Sequence, residues 1–404
     1  MKRGTGGSSA VSVASVLEEL QLTAEERRRL EVGVTYRGEF VLAGTRFQIG
    51  TNDPEAFAGF RARYGALESS PDPGSTVAVE IFCALEHHPV ARLSLLANGK
   101  LYRFLGAEAV ENVAATIFHL MAIAVRTHYL LHAGCVAVGG RGIVIAASTG
   151  AGKSTLCAHL AVRGAELLSD EIAPLDRTLG LVAPAPIAVG IRPGAGERLA
   201  TGRESSESAF RGDRKKLVSV GSLSGREPAG PVRPAVVVFV TPRASVSVVT
   251  LAKHRGPVRI TLTAWDEGFG AEIAQTAGLR VLMRGIAAGL PFIDCESLSP
   301  LPLTTLARLA AVRGIGIVGV RLDGYAAPDF AAEPLLQRLP TAAGVLEVVK
   351  RIYPPQLCEL LCNEFGGRMV PLVHEIAVLL GDASFYKLTP GHLESMLALL
   401  EGLA

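Results

Sequence analysis

The run IVIAASTGAGKSTL, residues 143–156, constrains this chain more than any other feature. Its β-branched start reads as a strand, its small residues as a tight loop, and the stretch from Ser154 to Gly164 as a helix closed by a glycine C-cap. The order matches a phosphate-binding loop of the form Ala147, four residues, Gly152, Lys153, Ser154, with alanine where the strict pattern has glycine. The chemistry survives that change, because Gly150 and Gly152 let the backbone wrap its N–H groups around phosphate oxygens. The helix N-terminus adds a partial positive charge. Lys153 supplies a point charge for the β- and γ-phosphates, and the Ser154 hydroxyl suits Mg2+. The nucleotide cradle is expected over Ser148, Thr149, Gly150, Ala151, Gly152, Lys153, Ser154 and Thr155. An ordinary strand-to-helix turn with glycines is the competing reading, and it leaves the conjunction of strand, GKST and capped helix unexplained.

A second element follows on the next predicted strand, where LLSDE puts Asp170 seventeen residues after Lys153. In an open α/β sheet, the carboxyl ends of neighbouring strands share one crevice, so Asp170 and Glu171 are expected beside the γ-phosphate. One carboxylate can take the proton of an attacking hydroxyl while the other holds Mg2+; Asp170 is also a candidate metal ligand. The order excludes transporter-type ATPases, whose LSGGQ signature precedes their acidic pair. Here Leu223, Ser224 and Gly225 come after it and lack the glutamine. A third element, His132 in LLHAGCVAV, lies 21 residues before Lys153 on the preceding predicted strand.

Together His132, ASTGAGKST and LLSDE resemble the catalytic core of the HPr kinase/phosphorylase family and its HPr-kinase-like relatives, over about residues 125–180. The resemblance implies a P-loop core in a fold related to phosphoenolpyruvate carboxykinase, ATP and Mg2+ as cofactors, and phosphorylation of a serine hydroxyl. By the same resemblance Asp170 is the catalytic acid/base, Glu171 replaces a second aspartate near the metal, and His132 contacts the pair. The family's Met-Glu-Ile-Arg-Gly type stretch has no counterpart. PAPIAVGIRPG stands there, with Arg192 its only charge, which argues against HPr as substrate. Relatives in peptide natural-product gene clusters phosphorylate a serine of a precursor peptide, and the chain looks more like these. The basic cluster Arg211, Arg214, Lys215 and Lys216 ends a polar stretch, residues 192–216, expected as a mobile loop. It reads either as a solvated run or as an arm closing over the triphosphate, with Arg214 and Lys215 as nucleotide contacts. Family members often form rings, so a homo-oligomer is implied, although no coiled-coil pattern selects a number.

The expected fold class is α/β, arranged as a β-rich N-terminal module (residues 1–110), a P-loop catalytic domain (111–330) and a helical C-terminal segment (331–404). An amphipathic helix or pair of turns is expected over residues 16–30, a helix over 111–129, and strands over 35–42, 46–49, 77–82, 92–96, 101–104, 133–138, 143–147, 166–169, 217–220, 235–241 and 246–251, with a further αβ stretch from about 255 to 322. With 404 residues, 49% apolar, the chain is no disordered polymer, and its net charge of +2 argues against a nucleic-acid partner. The longest apolar run, residues 113–125, falls short of the roughly 20 residues a membrane span needs, so a cytoplasmic protein without a membrane partner is expected. The six cysteines show no CxxC pair; Cys358 and Cys362 with His374 could hold a metal, but buried thiols fit the apolar pattern better. His87 and His88 read as surface residues, and Trp265 as a packing anchor. The resulting expectation is a kinase for a hydroxyl-bearing peptide or small molecule. Its rivals are a nucleotide-binding regulatory or assembly protein with slow ATPase activity, and a bifunctional kinase/phosphorylase.

Overall fold

Two long apolar strands at the centre set the architecture. In the computed structural model, β10 (Arg141–Ala147) and β16 (Pro234–Val240) run parallel, and almost every residue of both is buried. Such continuous apolar runs need cover on both faces. The alternation of the pleat divides them: Val144, Ala146, Val237 and Phe239 belong to one core, Ile143, Ile145, Val236 and Val238 to the other. The structure describes residues 19–20, 24–70, 79–86, 92–97, 100–105, 113–147, 151–191, 205–210, 213–225, 230–241, 258–263, 279–287, 290–297, 316–322, 331–353, 361 and 363–403.

The N-terminal sheet comprises β1 (Glu19–Leu20), β2 (Tyr36–Leu42), β3 (Thr45–Thr51), β4 (Glu68–Ser69), β5 (Val79–Glu86), β6 (Arg92–Ala97) and β7 (Lys100–Leu105), in the order β1, β7, β6, β5, β3, β2, β4. Helix α1 (Ala24–Gly33) precedes β2. Only β3 and β5 pair in parallel, joined by a crossover through α2 (Pro54–Tyr64). That helix starts where it does because Asp53 accepts from the Ala56 N–H at 2.8 Å and Pro54 occupies its first turn. Its buried Phe60 and Tyr64 join the first core.

The central sheet has the order β11, β9, β10, β16, β22, β21. Helix α3 (Val113–Ala124) leads to β8 (His128–Leu131) and then to β9 (Ala133–Val138). Next come β10, helix α4 (Lys153–Val162), β11 (Glu166–Ser169) and β12 (Ala173–Asp176), which pairs with β8. A three-stranded antiparallel sheet follows from β13 (Val189–Ile191), β14 (Ser205–Phe210) and β15 (Asp213–Val218), and helix α5 (Val220–Ser224) leads to β16. Strands β17 (Val258–Thr263), β18 (Leu279–Ala287), β19 (Leu290–Ser297) and β20 (Gly316–Leu322) form a separate antiparallel sheet. The chain closes with β21 (Leu335–Leu339), α6 (Thr341–Val349), α7 (Met369–Leu379), β22 (Ser384–Thr389) and α8 (Leu393–Glu401). One core gathers the N-terminal sheet, α2, α3, α6 and α7, the other α4, α5 and α8.

Several expectations change. The C-terminal segment is not a helical tail: β22 pairs in parallel with β16, and β21 extends the sheet antiparallel to β22. Its strands were hidden because β21 is a half-exposed edge and β22 interleaves polar Tyr386 and Lys387 with buried Phe385 and Leu388. Arg177 also anchors this segment, with Nε 2.9 Å from Glu375 and Nη1 3.0 Å from Glu364. The polar stretch expected as a loop contains β14 and β15, whose register sets Glu207 opposite Lys216. A hairpin of charged and hydroxyl residues lacks the apolar alternation by which strands are recognised. The first predicted helix begins only at Ala24, and the second stops at Ala124 before β8. The strand at 246–251, His87, His88, Trp265, Cys358 and Cys362 lie outside the described residues. Cys83, Cys135 and Cys157 are buried and free, and burial pushes the Cys135 thiol up to about 12. Among the described residues no helix is long and apolar enough to cross a membrane.

Gly134 makes the close packing of β9 possible. A Cβ there would collide with Cys157 Sγ of α4 and stand 3.2 Å from the Ser169 carbonyl oxygen. Gly134→Ala is expected to destabilise the fold by about 1–3 kcal/mol, as overpacking does, read as a lower urea midpoint; a midpoint equal to wild type would contradict this account of β9.

Candidate functional site

Strand direction assembles the site. β9 is antiparallel to both β10 and β11, so β10 and β11 run the same way and end at the same edge, where β9 begins. Three chain segments therefore meet there: the loop after Ala147, the Asp170–Glu171 pair after β11, and His132 before β9. His132 lies in the turn between β8 and β9, not within a strand as expected. An antiparallel strand contributes its start to this edge, which is why the histidine precedes the strand while the carboxylates follow theirs.

The described part of the glycine-containing stretch expected to cradle phosphate is residues 151–155; Ser148, Thr149 and Gly150 lie outside the described residues. Gly152 is the N-cap of α4 with φ 99°, in the left-handed region where a Cβ costs about 1–2 kcal/mol. Ala151 is buried, and Lys153, Ser154 and Thr155 on the first turn are partly exposed. The Lys153 ammonium donates to the Asp170 carbonyl oxygen and stands 3.2 Å from Asp170 Oδ1. Both side chains are nearly enclosed, 12% and 7% exposed. Burial pulls the ammonium down, but Asp170, Cys157 and Glu171 outweigh it and leave its pKa raised.

The second carboxylate has its own cation. The Arg63 guanidinium, from the last turn of α2, donates to Glu171 Oε2 across 108 positions of sequence. Burial raises the Glu171 carboxyl, yet Arg63, with help from Lys153 and His132, brings it down to about 2. Thus a lysine holds one member of the acidic pair and an arginine the other. His132 is pulled below its usual range by burial first, then by Lys153, against the opposing charges of Glu171 and Asp170. It is a neutral imidazole at neutral pH, close enough to feel all of these charges. The His132 backbone N–H donates to the Arg351 carbonyl at 2.6 Å, and the Tyr353 backbone N–H donates to the Leu130 carbonyl at 2.7 Å. This short pairing sets the Tyr353 ring 5.9 Å from the His132 ring. The Tyr353 phenol is raised by burial and by Glu171.

Lys153, Asp170, Glu171 and His132 are thus brought together. The side chains of Arg214 and Lys215 lie outside what the structure describes; their backbone lies in β15, paired with Ala209 and Ser208, where a mobile loop was expected. Sequence reading missed Arg63 and Tyr353. Arg63 sits in a helix with little apolar periodicity, and Tyr353 at a bend after α6, so nothing local marks either. A cavity of about 460 Å3 lined by Gly139, Gly140, Arg163, Gly164 and Glu166 lies at the opposite end of the sheet, among turns that carry none of these groups.

The donor set fits Mg2+ with a triphosphate. Ser154, Asp170 and Glu171 are hard oxygen donors, and among the described residues no cluster of three His, Cys, Asp or Glu could hold an ion alone. Mg2+ ordinarily takes one or two carboxylates and completes its shell from phosphates and water.

Two outcomes test these pairs. Lys153→Met leaves a buried carboxylate uncompensated, so a loss of about 3–5 kcal/mol is expected, largely recovered when Asp170→Asn is added; urea unfolding of the single and double variants checks this. The Glu171 carboxyl is depressed on folding, so the stability it contributes is present above its ordinary value of 4.5 and lost as pH falls toward about 2. The difference in thermal midpoint between wild type and Arg63→Ala should therefore be constant above that value and vanish toward the lower one. A difference independent of pH would contradict the pairing.

No family model matches the chain, and no curated protein does. Among solved structures, the chain is similar to the HPr(Ser) kinase/phosphatase from Coxiella burnetii, at 14% identity and a TM-score of 0.20, over 46% of this chain and 94% of that one. The relationship is distant, and none of the geometry above depends on it.

Proposed function

We propose that this chain is an ATP- and Mg2+-dependent phosphotransferase that moves the γ-phosphoryl group onto a hydroxyl, a serine of a peptide or small molecule. The observation that carries the reading is the convergence of Lys153, Asp170 and Glu171 at one sheet edge, beside a left-handed glycine that opens a helix. Few arrangements other than phosphoryl transfer use a buried lysine and two carboxylates at a phosphate loop, since that chemistry asks the protein for positioning and charge.

Residues 148–155 would hold the phosphates, with Lys153 turning from Asp170 toward them. That movement frees the Asp170 carboxylate to accept the proton of the acceptor hydroxyl, whose oxygen forms the new bond to phosphorus as the bond to the nucleoside diphosphate breaks. Ser154 and Glu171 would hold Mg2+, which would supply positive charge against the phosphates. His132, neutral, is suited to orient the acidic pair by hydrogen bonding without adding positive charge.

Incubation with γ-labelled ATP and serine-containing peptides, followed by mass spectrometry, tests the reading. Asp170→Asn is expected to lower transfer by about 10²–10⁴-fold while ATP affinity stays within a few-fold. Release of free phosphate with no phosphorylated acceptor, or full transfer by the asparagine variant, would overturn it.

A further inference from the structure

We infer that Arg63, carried by the N-terminal sheet unit, is the positioning residue for Glu171, so that this unit completes the phosphoryl-transfer edge in addition to any part in recognising an acceptor. The inference rests on the reading above that Glu171 stands on the metal side of the site.

The geometry points to an oriented contact. Arg63 lies in the last turn of α2, and its carbonyl accepts the Ala188 N–H at 3.0 Å, tying the helix end to the segment that leads into β13. Its guanidinium carbon lies 5.7 Å from the Tyr64 ring centroid, and Tyr64 stacks on Phe118 of α3 at 4.5 Å with 6° between planes. The two ion-pairing side chains are 21% and 29% exposed. A clamped arginine loses little rotamer freedom on pairing, unlike the long mobile side chains of surface ion pairs. Only Oε2 of Glu171 takes the guanidinium, which leaves Oε1 for a cation. Hydrogen-bond partners that orient a ligating carboxylate are worth about 10–100-fold in metal affinity.

Arg61, two residues earlier, is the natural contrast. It pairs with Glu68 inside its own unit at 2.7 Å and is half-exposed. Among the described residues, its ion pair stays within that unit, away from the Glu171 edge.

Mn2+ binding to the full chain in the presence of ADP, followed by electron paramagnetic resonance, tests the assignment without requiring turnover. Arg63→Ala is expected to weaken Mn2+ binding about 10–100-fold, Arg63→Lys to recover most of it, and Arg61→Ala to leave it unchanged. Glu171→Gln should weaken binding as Arg63→Ala does, and adding Arg63→Ala to it should cost nothing more. Arg63→Gln, of similar reach, takes the place of the alanine variant should that one melt early, with the same outcomes expected. Binding by Arg63→Ala equal to wild type overturns the assignment, and so does an undiminished effect of that change in the Glu171→Gln background; in both cases the phosphotransferase reading stands. A wild-type chain that takes up no Mn2+ with ADP overturns the reading and the inference together.

Discussion

The antiparallel insertion of β9 between β10 and β11 is the constraint on which the site depends. A strand running against two neighbours presents its start where they present their ends. His132, the start of α4 and the acidic pair therefore reach one edge without any long connection. The insertion needs close packing, because Gly134 of β9 lies against Cys157 of α4 and the carbonyls after β11. The residue that lets β9 sit there thus also sets how near α4 comes to Asp170.

Charge balance follows from that packing. Two carboxylates enclosed side by side would repel and resist ionisation. Each instead has a cation from a different element: Lys153 from the helix after the loop, and Arg63 from the N-terminal sheet unit. Ion pairs this enclosed are weak evidence for net stability, because desolvation opposes their attraction. Their effect is to hold both carboxylates ionised and oriented at this edge.

Units remote in sequence feed this edge from two directions. The N-terminal sheet shares the apolar core that contains α3, Tyr129 and one face of the central sheet, and it carries Arg63 inward. The C-terminal segment supplies β21 and β22 and, through the backbone pairing of residues 351–353, brings Tyr353 beside His132. The Arg177 links to Glu364 and Glu375 hold that segment against β12 and Tyr129. Both ends of the chain are therefore built into the central sheet and its cores.

The placement of Gly152, Lys153, Asp170 and Glu171 was legible from sequence, because a strand and a helix N-terminus are local structures written in adjacent residues. Strands β10 and β16 were equally plain, since a fully buried strand must be apolar throughout. The hairpin of β14 and β15, the edge strand β21 and the partner of Glu171 were not. A polar hairpin carries no apolar alternation, an edge strand is half solvated, and an ion pair spanning 108 positions leaves no mark on either neighbourhood. Sequence by itself determined which groups could do phosphate chemistry, because that depends on residue type and short spacing; tertiary structure alone decided which cations stand beside them, because that depends on how separate sheets pack.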